Sequence, residues 1–418
     1  MNTGKIMNII GRILFVEVLL MLPSLFVSLI YRDGDTKAFV YTMIPAAIVS
    51  VLLMLVRQQQ KRMSSRDGYF IVAMAWIIIS IVGAFPLYLA GGFASYWGAL
   101  FEIVSGFTTT GASVLAEPGT LGHGVAFWRC FTHWVGGMGV LVFVLMVIPM
   151  ENDNSMHLVR AEVPGPTAGK LVPRMRTTSM ILYGIYAVMT LILVVILKCL
   201  GMKVFDAFCI GFATAGTGGF GVYNDSMGSF SPYLQNVVTI FMVLFGINFN
   251  FYFLLLVKEV REAFAMEEVR WYLIIFAAAT LMIAANLTIV QGGSPFYYLH
   301  HSAFQVASVM TTTGFATVDF NLWPNFSRSI LVVLMFIGAC AGSTGGGIKV
   351  SRLVILIKSL GKETDSYIHP KIIKKIKMDG KPVEHEVVRS VNVYFLTFII
   401  IFTVSVLLVS LENKDFTT

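Results

Sequence analysis

The chain has 418 residues, of which 56% are hydrophobic and 13% charged, and its mean hydropathy is +0.78. A soluble domain carries about 25% charged residues, so this composition describes an integral membrane protein and excludes an ordinary soluble enzyme. The net charge of +7 is no sign of a nucleic-acid partner, because a basic excess in a polytopic protein reports its cytoplasmic loops, and the four scattered cysteines (Cys130, Cys199, Cys209, Cys340) form neither a disulfide framework nor a metal spacing.

In chain order, the apolar runs are long enough for spanning helices and too long for the short alternating strands of a barrel. The first, Ile6 to Tyr31, exceeds a signal-peptide core and lacks a small-residue cleavage pattern, so it is read as a span. Further spans are expected at 38–56, 69–89, 125–150, 180–200, 236–257, 271–290, 328–358 and 391–411. Lysine and arginine crowd one set of connections: Arg57, Lys61, Arg62 and Arg66; Arg160, Lys170, Arg174 and Arg176; Lys258, Arg261 and Arg270; and a run from Lys358 to Arg389. These face the cytoplasm under the positive-inside rule, which places the N-terminus inside. The opposite connections, 90–124, 201–235 and 291–326, hold Lys203 as their only lysine or arginine and include Glu102, Glu117, Asp206, Asp225 and Asp319. Such a mouth attracts cations, although ordinary solvated loop charge explains the same acids equally well.

The outer connections repeat. Trp97 to Gly111 aligns without a gap over Phe205 to Gly219, and His300 to Gly314 follows the same course. Each block is an amphipathic stretch of about ten residues, too brief to cross, that ends in small hydroxyl residues and a glycine. A re-entrant helix and loop fits this pattern, and irregular backbone at membrane depth is tolerated only where it is buried in protein or lines a wet cavity. Three such loops imply a shared aqueous path, with the negative end of each short helix directed inward. Successive backbone carbonyls, helped by threonine hydroxyls, can replace the hydration shell of a monovalent cation, and no side-chain charge is needed. The candidate ion-lining residues are Thr108, Thr109, Thr110 and Gly111; Gly216, Thr217, Gly218 and Gly219; and Thr311, Thr312, Thr313 and Gly314. A carbonyl ring suits K⁺ better than a small divalent ion, which calls for carboxylates.

The eighth span contains Ala341-Gly342-Ser343-Thr344-Gly345-Gly346-Gly347-Ile348-Lys349, and adjacent glycines should break the helix there. The spacing argues against a nucleotide-binding P-loop, because Ile348 separates Gly347 from Lys349 and no strand precedes. Several polar residues in the apolar runs take plain structural readings. Arg129 and His133 are expected to pair with Glu102 or a loop carbonyl, Glu17 with a neighbour, His300 and His301 to lie at the interface, and Gly136, Gly137 and Gly139 to serve close helix packing.

These loops, with Thr108–Gly111, Gly216–Phe220 and Thr311–Phe315, resemble the superfamily of K⁺ transporters that includes TrkH, TrkG and KtrB. The extra helix pair before Ser65-Arg66-Asp67-Gly68, the Trp134–Gly139 segment and the Arg160–Pro166 linker resemble its TrkH/TrkG branch. The resemblance implies an all-α membrane fold with two N-terminal helices (1–57) and quasi-fourfold helix–pore loop–helix repeats around a central pore. The repeats would cover 69–150, 178–258 and 270–360, the last with an interrupted second helix, and a fourth would begin at 390–418. It implies K⁺ uptake through a gated pore of the bacterial inner membrane, with K⁺ in the selectivity filter and no other cofactor, and Gly111 favours potassium because a serine there accompanies sodium permeation in relatives. The segment Gly342, Ser343, Thr344, Gly345, Gly346, Gly347 would then be an intramembrane gating loop, with Lys349 either holding it closed, raising an electrostatic barrier, or reaching the inner interface. The implied partners are a second copy of the chain, membrane lipid and a cytosolic nucleotide-binding subunit of TrkA type docked on the basic loops around 151–178 and 358–389. An Asp415 matched to Asp206 would place the next filter glycine beyond Thr418, so that another segment or chain is expected to complete the ring. The alternative activity is Na⁺- or H⁺-coupled symport at a midplane site, which predicts inverted halves and buried carboxylates.

Overall fold

A computed structural model describes residues 3–56, 65–137, 139, 175–369 and 375–411. The inner half of the fourth expected span, the 151–174 linker with Arg160–Pro166, the basic residues Arg57, Lys61, Arg62, Lys371 and Lys374, and the 412–418 segment lie outside the described residues.

Two antiparallel helices open the chain, α1 (Thr3–Tyr31) and α2 (Thr36–Leu55). They meet where Gly11 lets the backbones touch: the Ser50 hydroxyl donates to the Gly11 carbonyl at 2.9 Å, and Asn8 Nδ2 donates to the Met54 carbonyl at 2.6 Å. Small residues are the usual means of close helix packing where apolar burial in lipid supplies no drive. The α1–α2 turn is tied to the next outer connection, since Asp33 accepts the His123 backbone N–H at 2.7 Å. Glu17 departs from expectation. It is buried in α1, with Oε1 beside Gly83, and neither oxygen has a hydrogen-bond partner among the described residues.

Three units follow, each with a long helix, a short helix, an outer loop and a returning helix. The first holds α3 (Ser65–Leu89), α4 (Tyr96–Phe107) and α5 (His123–Gly137). The second holds α6 (Met175–Cys199), α7 (Val204–Ala215), α8 (Pro232–Phe245) and α9 (Phe249–Leu256), with the brief α10 (Val260–Ala265) leading out. The third holds α11 (Glu267–Gln291), α12 (Pro295–Met310), α13 (Asn325–Phe336) and α14 (Val350–Ile368). A two-stranded hairpin, β1 (Lys377–Met378) and β2 (Lys381–Pro382), precedes α15 (His385–Ser410). The hairpin turns on Asp379-Gly380, both at positive φ, and docks on the start of α11 through Asp379, which accepts the Glu267 N–H (2.7 Å), while Lys358 of α14 bridges Glu267 (2.6 Å) and the Lys377 carbonyl (2.8 Å).

Among the described residues, α1, α2, α3, α6, α11 and α15 are long and apolar enough to cross a bilayer. The span expected at 236–257 is not one helix: α8 and α9 meet at 87°, broken at Gly246-Ile247-Asn248. A single glycine in an apolar run is a weak breaker, and the bend is made by Asn248, whose Oδ1 caps α9 at the Asn250 N–H (3.0 Å). The interruption of the eighth span starts earlier than its glycines, at Ile337, and the helix resumes at Val350 and runs on to Ile368. The short helices α4, α7 and α12 have 12, 12 and 16 residues. At 1.5 Å per residue the longest reaches about 24 Å, short of a ~30 Å hydrocarbon core.

The α1–α2 contact yields a test. A β-carbon on Gly11 would lie 2.8 Å from Leu53 Cβ and 2.9 Å from the Ser50 carbonyl. Gly11→Val is expected to cost about 1–3 kcal/mol and to lower the melting temperature in detergent, whereas the same substitution at exposed Gly184, where an added β-carbon meets nothing within 4 Å, should leave it near the parent value.

Candidate functional site

The three short helices end in the same backbone conformation. Their capping residues Thr108, Gly216 and Thr311 have φ/ψ of −79/1, −75/−7 and −87/−1. The next residues, Thr109, Thr217 and Thr312, turn left-handed at φ 54, 53 and 59, and the glycines two positions on, Gly111, Gly219 and Gly314, have φ 77, 80 and 87. The hydrogen bonds match as well. Thr109, Thr217 and Thr312 N–H groups donate three residues back, to Gly106, Thr214 and Val309 (3.1, 3.1 and 3.0 Å). Thr110, Gly218 and Thr313 donate five residues back, to Ser105, Ala213 and Ser308 (2.9, 2.9 and 2.8 Å). This is the Schellman closure of a helix, which ordinarily sets glycine at the left-handed position. Here all three are threonine, a β-branched residue for which positive φ is a true outlier, costing of the order of 1–3 kcal/mol each.

Left-handed residues alternating with ordinary ones turn successive peptide planes the same way, so carbonyls line one side of the chain instead of alternating as in a strand. The loops face one another through these carbonyls. A β-carbon on Gly111 would collide with the Gly218 carbonyl and lie 3.8 Å from that of Thr313, and one on Gly219 would collide with the Thr313 carbonyl. The glycines of the first and second loops therefore each pack on the carbonyl just before the glycine of the next. A β-carbon on Gly314 would meet no described residue within 4 Å, and Thr108 and Thr110 on the far side of the first loop are exposed.

The hydroxyls are used behind the loops. Thr108 and Thr110 hydroxyls pair at 2.8 Å and Thr108 donates to the Val104 carbonyl at 2.7 Å; Thr311 and Thr313 pair at 2.7 Å and Thr311 donates to Ala307 at 2.7 Å. Thr217 and Thr312 donate to the carbonyls of Gly216 and Thr311 (2.7 and 2.6 Å). The first loop is further braced by the expected buried pair: Arg129 Nε lies 2.5 Å from Glu102, which also accepts the Ser113 hydroxyl (2.8 Å) and the Val114 N–H (3.1 Å). His300, expected at the interface, lies against α8, with Gln235 Oε1 at 2.7 Å and Asn236 Oδ1 at 2.8 Å, and His301 is buried beside the Thr317 hydroxyl at 2.9 Å.

The interruption between α13 and α14 packs directly against the third loop. The Gly346 N–H donates to the Thr312 hydroxyl at 2.8 Å, and a β-carbon on Gly345 would lie 3.0 Å from the Thr311 carbonyl. The Lys349 ammonium donates to the Gly345 carbonyl. Gly342 accepts the Phe249 N–H (2.9 Å), Thr344 donates to the Phe245 carbonyl (3.2 Å), and the Cys340 N–H donates to Gly246 (3.0 Å). The segment is thereby seated in the α8–α9 bend, so that two broken helices satisfy each other's backbone. Gly338 and Ile348 close its neck through Gly338 N–H to the Ile348 carbonyl (2.8 Å) and Ile348 N–H to Phe336 (3.1 Å).

A family assignment follows from this architecture together with its relatives. Residues 35–418 match the family model described as TrkH, a cation transport protein. The chain belongs to the TrkH family. It is 34% identical over 423 residues to the Trk system potassium uptake protein TrkH of Salmonella typhimurium, covering 99% of this chain and 87% of that one. It is 31% identical to the Trk system potassium uptake protein TrkG of Escherichia coli, over 100% of this chain and 88% of that protein. The crystal structure of the potassium transporter TrkH from Vibrio parahaemolyticus superposes with a TM-score of 0.89 at 30% identity, over 99% of this chain and 87% of that one. This TrkH-family chain is thus an all-α, multi-pass membrane protein of a transport family and not an enzyme.

Sequence reasoning passed over Glu268. It is the second residue of α11, is buried, and accepts the Ala341 N–H (2.6 Å) and the Ser351 N–H (3.0 Å) from either side of the interruption, with Asn248 Nδ2 at 3.5 Å. In sequence it looks like one of two acids in a first helical turn, and no periodicity separates it from Glu267, which is half-buried and paired with Lys358. Glu268→Ala would strand two buried amides, at about 1–3 kcal/mol each, and should lower the melting temperature by clearly more than Glu268→Gln, whose amide oxygen still accepts both.

Proposed function

We propose that this chain carries K⁺ across the bacterial inner membrane, passively and down the membrane potential, through a path lined by Thr108–Gly111, Gly216–Gly219 and Thr311–Gly314. The observation that carries the reading is the facing of carbonyls between loops: Gly218 onto Gly111 and Thr313 onto Gly219, in one rotational sense. Because the hydroxyls of Thr108, Thr110, Thr217, Thr311, Thr312 and Thr313 already have partners, the main-chain oxygens of residues 109–111, 217–219 and 312–314 are left to replace the ion's water. The relatives' names as potassium uptake proteins agree with this cargo. The open flank between Gly314 and Thr110 takes one more loop of the same kind, supplied from outside the described residues.

The segment Gly342–Gly347 would be the gate. It touches the inner end of the third loop, and its ammonium-bearing residue, Lys349, holds it by the Gly345 carbonyl, so a fixed cation stands where a passing one would leave. Orientation with the N-terminus inside puts the β1–β2 hairpin and the basic α14–α15 connection in the cytoplasm, where a nucleotide-binding subunit of TrkA type would dock, and the chain would work as a homodimer in lipid.

Two outcomes are expected in proteoliposomes. Gly111→Ser and Gly219→Ser, each of which forces a β-carbon into a facing carbonyl, should reduce discrimination of Rb⁺ over Na⁺ by about tenfold, read as radioactive Rb⁺ uptake against competing Na⁺; unchanged ratios would refute the filter. Deleting Gly345–Gly347 should raise uptake without abolishing cation selectivity, and a deletion that left the rate unchanged would remove the gating role. Uptake set by an imposed potential, with no accompanying proton or sodium flux, separates this reading from coupled symport.

A further inference from the structure

The second loop lacks the brace that the other two possess. Where the first and third carry hydroxyl pairs, Thr108 with Thr110 and Thr311 with Thr313, the second has Gly216 and Gly218, which have no side chains to pair. The room is taken by one residue of α5. A β-carbon on Gly218 would collide with the His133 ring, and one on Gly216 with the His133 carbonyl. We propose that His133 is the positioning residue of the second loop, bridging it to the first and so setting discrimination among alkali cations. This rests on the reading of the loops as the ion filter.

The partners of the ring assign its tautomer. A backbone amide can only donate, so Nε2, 3.2 Å from the Phe220 nitrogen, is an acceptor; a carbonyl can only accept, so Nδ1, 2.8 Å from the Gly106 oxygen, carries the proton. Both ends of this bridge are consequential. Gly106 is the same carbonyl that takes the Thr109 N–H and holds that residue left-handed, and Phe220 is the first residue after Gly219. The Phe220 ring is clasped between the imidazole, 4.1 Å between centroids, and the Arg129 guanidinium, 3.6 Å from its centroid. Arg129 also donates to the Gly221 carbonyl at 3.1 Å, and its charge is met by Glu102. Only the neutral ring can make the bridge, since a second proton on Nε2 would face the Phe220 amide hydrogen. The second and third loops are joined differently, by Met227 N–H to the Ala316 carbonyl (3.0 Å) and Ala316 N–H to the Ser226 hydroxyl (3.2 Å).

The test separates the two ring nitrogens. An asparagine amide stands near the Nδ1 position and a glutamine amide reaches that of Nε2, so His133→Asn and His133→Gln each keep one arm of the bridge while His133→Ala keeps neither. Full-length chains in proteoliposomes would be scored for Rb⁺ over Na⁺ discrimination and for melting temperature, with Gly219→Ser in parallel. The expectation is a loss of about tenfold in discrimination for alanine and a smaller loss for asparagine and glutamine. If the alanine chain does not fold, the near-isosteric pair decides. Lower stability or yield with parental discrimination in every folded variant would overturn the proposal, leaving His133 a packing residue. A Gly219→Ser chain that kept parental discrimination would instead overturn the filter reading on which the proposal stands, while loss in Gly219→Ser alone would condemn only the role of His133.

Discussion

Inside a hydrocarbon layer a peptide N–H or carbonyl has no water to fall back on, and each one left alone costs several kcal/mol. The short helices α4, α7 and α12 are too short to cross and must satisfy their last carbonyls locally. They do it with one device used three times, the paired bonds from Thr109, Thr217 and Thr312 and from the residues that follow. That closure consumes the amide hydrogens of the turn and leaves the carbonyls of residues 109–111, 217–219 and 312–314 without a hydrogen-bond donor among the described residues. Oxygens in this condition call for water or an ion to attend them. On the proposed reading, local helix termination and ion handling are one requirement, and the strained left-handed threonines are its local expression.

The glycines serve the same end by a second route. Positive φ alone would favour glycine at positions 111, 219 and 314, yet the first two are bound by space as well, since a carbonyl of the neighbouring loop occupies the place of a side chain. Close approach between loops therefore requires glycine opposite each carbonyl, and the loops can be held in register only by groups behind them. Hydroxyl pairs act in the first and third. In the second, the buried α5 edge of Arg129 and His133 takes their place, with the Arg129–Glu102 charge pair buried and further bonded to Gly221, Ser113 and Val114, which favours its being tolerated.

The bend between α8 and α9 and the gap between α13 and α14 are also coupled. Each alone would expose a turn of unpaired backbone. Together they exchange bonds, Phe249 to Gly342 and Cys340 to Gly246, and Glu268 collects amides from both ends of the gap. On the proposed reading the glycine-rich part of this segment is what moves, breaking and remaking these bonds. Its contact with Thr312 puts any such movement next to the third loop.

The membrane class, the long helices, the three aligned outer segments and the broken eighth span were all legible in the residues, because hydropathy over about 20 residues and runs of glycine are local properties. The Arg129–Glu102 pair was legible too, as two opposite charges in apolar surroundings with few other partners. The amide-collecting Glu268, the Glu17 with no hydrogen-bond partner among the described residues and the ring of His133 against Gly218 were not, since each acquires its meaning from atoms tens of positions away in the chain. Sequence by itself determined that short threonine–glycine loops exist at three places and what their backbone could offer. Only tertiary structure decided which carbonyl faces which glycine, and which side chain stands behind it, because those distances are set by the packing of helices that share no local signal.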